Sequence, residues 1–254
     1  MYRVVSSVLL IALLLASNIS IACSPKEVTS LDPNLEVTFP DPNLESIIRE
    51  TINKPAGAIL ASDLRGLISL DAPMSNITNL TGLEYCNNLT SLVLSENQIS
   101  DISPLSSLVR LEQLYLVENQ ISDISPLSSL NKLHFLYLSA NEIIDISPLS
   151  SLVRLEELAL MYNQISDISP LSSLNELHFL YLTENEISDI SPLSSLTRLH
   201  WLVLSRNQIS SISPLLTLDR LGLVELAGNP LDSTSINVYI PQLEERGIRI
   251  NVNW

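Results

Sequence analysis

Glycine, cysteine and the large aromatics are all scarce in this chain of 254 residues, which holds six Gly, two Cys, three Phe and two Trp. No glycine-rich phosphate loop, nucleophile–base pair or complete metal set can be assembled from its residues, so a stand-alone enzyme lacks its parts. Two cysteines, Cys23 and Cys86, give no disulfide framework. Basic residues are also few: 13 Lys and Arg face 28 Asp and Glu, a formal net charge of −15. That balance argues against nucleic acid or an anionic membrane surface as partner. What remains plentiful is Leu and Ile, from which any core must be built.

Long apolar runs are absent except near the start. Arg3 precedes an apolar stretch from Val4 to Ala16 that is too short to span a bilayer, as in an export signal. Ser20-Ile21-Ala22-Cys23 resembles a bacterial lipobox, in which Cys23 is lipidated, although Ser20 stands where Leu is usual. Ordinary signal-peptidase cleavage after Ala22 fits the same residues. Residues 1–22 are expected to be a signal peptide and residues 23–36 a polar tether. An exported, membrane-anchored lipoprotein would then touch the membrane through its N-terminal lipid alone; the other reading is a secreted protein.

The middle of the chain is a repeat. From Leu89 to Arg220 it runs as six 22-residue units without insertion, the first being LTSLVLSENQISDISPLSSLVR. With the leading Leu as position 1, apolar residues recur at 1, 4, 6, 11, 14, 17 and 20. A weaker unit precedes from Leu67 and another follows from Leu221 to Leu231. Leu-x-Leu at positions 4 and 6 puts two side chains on one face of a short strand. Asn recurs at position 9, as Asn97, Asn119, Asn141, Asn163, Asn185, Asn207 and Asn229, where its amide can satisfy backbone groups as the chain turns inward. Ser-Pro-Leu-Ser-Ser-Leu then supplies Ser before Pro at the start of a short helical turn. One unit cannot bury its leucines alone, whereas stacked units share a continuous core.

This pattern is the leucine-rich repeat. The unit length and the phrase NQISDISPLSSL resemble the internalin-type repeats of bacterial surface proteins over about Phe39 to Trp254. FPDPNLESIIRETI, with Leu44, Ile47, Ile48 and Ile52 at helical spacing, is similar to the helical cap of that family. The resemblance implies an α/β solenoid: a horseshoe with a parallel concave sheet, 3₁₀ turns on the convex side, and a cap at each end. It also implies a concave face that binds a partner, usually a protein, and no catalysis. The expected organisation is an N-terminal cap over 37–66, about eight coils over 67–231, and a C-terminal cap over 232–254. In the last segment Ile236, Tyr239, Ile240 and Leu243 have helical spacing, Pro241 is expected to split them, and Ile248, Ile250 and Val252 alternate as a closing strand. No wall-sorting motif follows, so a host-cell role does not carry over.

Function in a solenoid is expected at positions that vary. Positions 3, 5, 7 and 8 should point outward from the sheet. There Tyr115, Phe135, Tyr137, Met161, Tyr162, Phe179, Tyr181 and Trp201 gather on neighbouring coils, an apolar strip about 20 Å long. Such a patch marks an interaction surface, and Tyr and Trp carry much interface energy. Glu112, Glu118, Glu156, Glu157 and Glu184 are expected to form an acidic rim. The expected ligand is a protein; a glycan stacked on the rings is the alternative. Two plainer readings stand beside these. Aromatics favour strands anyway, and LHFLYL recurs after 44 residues, which suggests a duplicated two-coil unit.

His134, His178 and His200 all occupy position 2, but no carboxylate or cysteine completes a zinc set, so they read as framing the strip. Asp101, Asp123, Asp145, Asp167 and Asp189 recur at position 13, either as turn caps or, less simply, as calcium ligands. Cys86 falls at position 20 of the weak first coil, a core position. No cofactor is expected.

Overall fold

The computed structural model describes residues 32–252; the expected signal peptide, Cys23 and most of the expected tether lie outside them. Three-residue strands recur at each coil: β3 (Ser69–Asp71), β4 (Ser91–Val93), β5 (Gln113–Tyr115), β6 (Phe135–Tyr137), β7 (Glu157–Ala159), β8 (Phe179–Tyr181), β9 (Trp201–Val203) and β10 (Leu223–Glu225). With β11 (Arg249–Asn251) they form, among the described residues, a nine-stranded parallel sheet in sequence order. From β3 to β10 each strand pairs in register with its neighbour 22 residues on, as Gln113 with Phe135 and Tyr115 with Tyr137, while β11 pairs with β10 at an offset of 26. On the opposite side the coil from Leu67 makes a three-residue 3₁₀ turn (Leu83–Tyr85), and each of the six coils from Leu89 makes a five-residue one, beginning with Ser103–Ser107. The fold is a leucine-rich repeat solenoid.

The apolar positions explain why the coils stack. In the coil from Leu111, the side chains of Leu111, Leu114, Leu116, Ile121, Ile124, Leu127 and Leu130 are all 0–1% exposed. Each coil contributes the same set, so the core is one column of Leu and Ile. Its polar seams are closed by three ladders. First, the amide of each position-9 Asn bridges two coils: Asn141 Oδ1 accepts from Ile121 N–H, while its Nδ2 donates to the carbonyls of Leu116 and Leu138. Six of the seven are buried and Asn119 is half-buried. Buried backbone groups at the inward bend are thereby paired.

A second ladder runs over the convex surface. The position-19 hydroxyl of each coil donates to the position-18 carbonyl of the coil before, as Ser129 Oγ to Ser106 O and Ser151 Oγ to Ser128 O. The third element is the position-13 Asp, whose Oδ1 accepts the backbone N–H of the following Ser, at 2.8 Å for Asp101 and Ser103. The Ser before Pro is therefore capped rather than capping; it supplies an N–H, and Ile102 occupies the cap position.

Position 8 is the main departure from regularity. Glu96, Glu118, Ala140, Tyr162, Glu184 and Arg206 all have φ of 54–56°, the left-handed region, and Gly228 follows at 74°. Their N–H groups reach the position-7 carbonyl of the next coil, as Ala140 N–H to Met161 O. The kink turns the chain inward, so position 8 lies on the turn after the strand and not on the sheet.

The ends are sealed differently. At the N-terminal side α1 (Pro42–Thr51) buries Leu44 and Ile48, with Ile47 and Ile52 packed partly beneath. A two-stranded antiparallel sheet of β1 (Glu36–Val37) and β2 (Ile59–Leu60) lies beside it, leading into the single turn α2 (Ala61–Leu64). Gly82 (φ 104°) must be glycine, because a Cβ there would fall 2.6 Å from the Phe39 ring. At the other end Pro241 does not split the helical stretch. A π turn (Ser235–Tyr239) runs straight into α3 (Ile240–Glu245). The Ile240 N–H reaches back five residues to Ser235 O. That widened turn lets Pro241 enter near the helix start, where its missing N–H costs little. Arg246 then clamps the cap to the last coil through the carbonyls of Leu216 and Leu218 and the carboxylate of Asp219.

Candidate functional site

Because positions 4 and 6 face the core, positions 3 and 5 of the strands face out of the concave sheet. From β5 to β9 the position-3 column is Gln113, Phe135, Glu157, Phe179 and Trp201; the position-5 column is Tyr115, Tyr137, Ala159, Tyr181 and Val203. Phe135, Phe179 and the three tyrosines are half-buried, and Trp201 is 40% exposed. Tyr115 and Tyr137 stack with ring centroids 4.6 Å apart and planes 8° off parallel; Tyr181 and Trp201 lie 6.5 Å apart, tilted by 51°. The rings stand on edge against one another, as parallel strands at about 4.8 Å spacing require.

Two of the eight aromatic-strip residues sit elsewhere than the strand face. Met161 is half-buried at the strand exit, its N–H donating to Ser139 Oγ at 3.2 Å. Tyr162 occupies the left-handed turn and is 55% exposed, so it borders the strip from the edge. Glu157 departs in the other direction. It is not on a rim but in the middle of the position-3 column, between Phe135 and Phe179. Position 3 of β7 points outward, and nothing in the repeat distinguishes a rim from a centre; only counting strands does. Glu112 and Glu156 at position 2, and Glu118 and Glu184 at position 8, do flank the sheet on its two sides.

Glu157 sets the electrostatics of this surface. Burial pushes the Tyr137 hydroxyl pKa up, and the hydrogen bond it donates to the Glu157 carboxylate, with that charge, pushes it further. Tyr181 is raised by burial and then by the same charge. Ala159, between the two tyrosines in register, is 3% exposed although it points outward. The carboxylate thus lies among aromatic rings, beside an alanine that the neighbouring side chains cover.

The other candidates resolve more plainly. His178 and His200 have ring centroids 5.5 Å apart at the start of β8 and β9. Among the described residues no group of three or more His, Cys, Asp or Glu is placed to hold a metal. Asp123 and Asp167 have depressed pKa values because they accept from the Ser125 and Ser169 backbones. Cys86 is fully buried, and burial, with nearby Glu84, pushes its thiol up to about 12. A thiol so placed stays protonated at neutral pH and is no nucleophile.

One functional residue of the scaffold escapes sequence reasoning. Asp41 caps α1 through Oδ1, accepting from Asn43 and Leu44 N–H, while its Oδ2 accepts from Thr78 N–H, Thr78 Oγ1 and Asn79 N–H. Asp before Pro at a helix start is the signal that could have marked the cap; nothing local marks the second set of partners, 37 residues away.

Comparison with known proteins agrees with this geometry. The family model described as Leucine Rich repeats (2 copies) matches residues 109–151 and 153–195, and a single Leucine Rich repeat model matches 85–102. A search of the curated proteins gives no match. Among solved structures, internalin C2 from Listeria monocytogenes is 36% identical with a TM-score of 0.64, covering 77% of this chain and 100% of its own. A leucine-rich repeat protein of Leptospira interrogans is 25% identical with a TM-score of 0.66, over 74% of this chain and 50% of its own. The ectodomain of the plant receptor kinase GASSHO1/SCHENGEN3 from Arabidopsis thaliana is 26% identical at a TM-score of 0.55, over 60% of this chain and 20% of its own. With the whole of internalin C2 matched at this identity and the same coil repeated throughout, the chain belongs to the internalin-like leucine-rich repeat proteins.

Proposed function

We propose that this protein is an exported, surface-exposed binding module that captures a protein ligand on the concave aromatic strip, and that it is not an enzyme. The observation that carries the reading is the placing of aromatics. Phe135, Phe179 and Trp201 at position 3, with Tyr115, Tyr137 and Tyr181 at position 5, fall on four of the five successive strands β5 to β9, with β7 between them carrying Glu157 and Ala159, whereas the strands before them carry Ser69, Asp71, Ser91 and Val93 in the same columns. The resemblance to internalin C2 and to a receptor-kinase ectodomain supports a protein-interaction role outside the cell. Lipidation of Cys23 would anchor the module through the tether.

Ring geometry favours protein over glycan. A sugar platform needs an exposed aromatic face, but Tyr115 and Tyr137 spend facing surfaces on each other and leave edges to a ligand. Edges with Met161 nearby suit apolar side chains. The solenoid also holds these rings on short hydrogen-bonded strands, so little ordering cost is left for binding.

The test is a pull-down from native surface extract with wild type beside Phe135→Ala/Phe179→Ala/Trp201→Ala, read by mass spectrometry with circular dichroism confirming both are folded. A protein retained by wild type and lost with the triple variant is expected. Identical binding by both would move the site to the edges or caps.

A further inference from the structure

The strip is apolar except at its centre. In the position-3 and position-5 columns from β5 to β9, Glu157 is the one charged side chain. Phe135 and Phe179 flank it directly on either side, and Tyr137 and Tyr181 flank Ala159, two residues further along the same strand. None of the ion pairs among the described residues involves it. The repeat's own cations are elsewhere: Arg110, Lys132, Arg154, Arg198 and Arg220 occupy position 22, on the side where the strands begin, and Arg206 at position 8 is paired with Glu184. A lone carboxylate costs free energy in an apolar surface unless something pairs with it. Here the Tyr137 hydroxyl partners it in part.

We propose that Glu157 and the rings around it form a receptor for one cationic side chain, so that the protein ligand presents an exposed Arg or Lys to the middle of the strip. This inference rests on the concave strip being the binding face. The carboxylate supplies the charge opposite to such a group, and the apolar rings around it exclude water from the pair. Neighbouring Ala159 is 3% exposed between Tyr137 and Tyr181, so the incoming group meets the Glu157 carboxylate at the surface of the strip. The surrounding field agrees. Net charge is −15, and Glu112, Glu156, Glu118 and Glu184 flank the strip, so a basic ligand surface is steered toward it.

A random peptide library selected on the full chain tests this, with Glu157→Gln and the Phe135→Ala/Phe179→Ala/Trp201→Ala variant beside wild type, each checked for fold by circular dichroism. Wild type is expected to enrich peptides with Arg or Lys amid apolar residues. Replacing that residue by norleucine in a selected peptide should weaken binding to wild type by on the order of tenfold and leave binding to Glu157→Gln nearly unchanged. Glu157→Lys should shift the enrichment to Asp and Glu. Wild-type selection without basic enrichment, or equal discrimination by Glu157→Gln, overturns the cation receptor while leaving the strip as the binding face. Selected peptides that bind the triple variant as well as wild type overturn both.

Discussion

Asp41 shows how much one side chain can join. Its two oxygens accept five hydrogen bonds, two from the start of α1 and three from Thr78 and Asn79 in the first coil. Burial raises the pKa of such a carboxyl, but the bonds from Thr78, Leu44 and Asn79 together outweigh it, and the net direction is down. Losing the cap and leaving buried N–H groups unpaired should make Asp41→Ala cost about 2–4 kcal/mol. A depressed folded-state pKa means this stabilisation is present above the ordinary value of 3.8 and is lost as pH falls through the folded one. Urea midpoints of wild type and Asp41→Ala should therefore differ at neutral pH and converge in acid. Cys86 makes the opposite case, a reactive group silenced by its place. In a Cys23→Ser background, a disulfide reagent at pH 8 should leave Cys86 unmodified in the folded protein and label it fully in denaturant; rapid native labelling would contradict its burial.

At the scale of the coil, the left-handed residue at position 8 is the costly part. Five non-glycine residues beside Ala140 hold the same φ near 55°, each against a steric penalty of about 1 kcal/mol. They do so because the kink lets the N–H bond the next coil and points position 9 inward. Ala140 has no side chain beyond Cβ to lose, so Ala140→Gly should raise stability by about 0.5–1 kcal/mol, seen as a higher urea midpoint with unchanged slope. A lower midpoint would show that the chain at position 8 is not strained. Neither this conformation nor the hydroxyl ladder was legible in the repeat, although the Ser-Ser of five coils stood where the ladder runs. Apolar spacing reports burial; it does not report where a hydroxyl finds its acceptor in the coil before. In the C-terminal segment the helical stretch and the closing strand are found as expected, and only the split at Pro241 is not. Proline's bias against a preceding helical residue assumes α geometry, and the π turn before Pro241 removes that assumption.

The whole molecule is a one-dimensional stack, and its stability should behave as one. LHFLYL recurs 44 residues apart, so removing residues 133–176 joins Lys132 to Leu177 with every position still in register. The shortened protein should fold, with a denaturant slope lower by about a fifth because less surface is exposed on unfolding. Loss of its circular dichroism signal would mean that the coils depend on more than their nearest neighbours.

Periodicity alone determined the solenoid. Seven apolar positions, one Asn and one Ser-Pro in every 22 residues specify a coil that can bury its leucines only by stacking. The same period put the aromatics in two outward columns. What only the tertiary structure decided is lateral: that Ala159 is covered although it points outward, that Tyr162 leaves the sheet for the turn, and that Asp41 reaches the first coil. Each depends on which side chains meet between coils, and a pattern that repeats along the chain is the same for every neighbour it brings together.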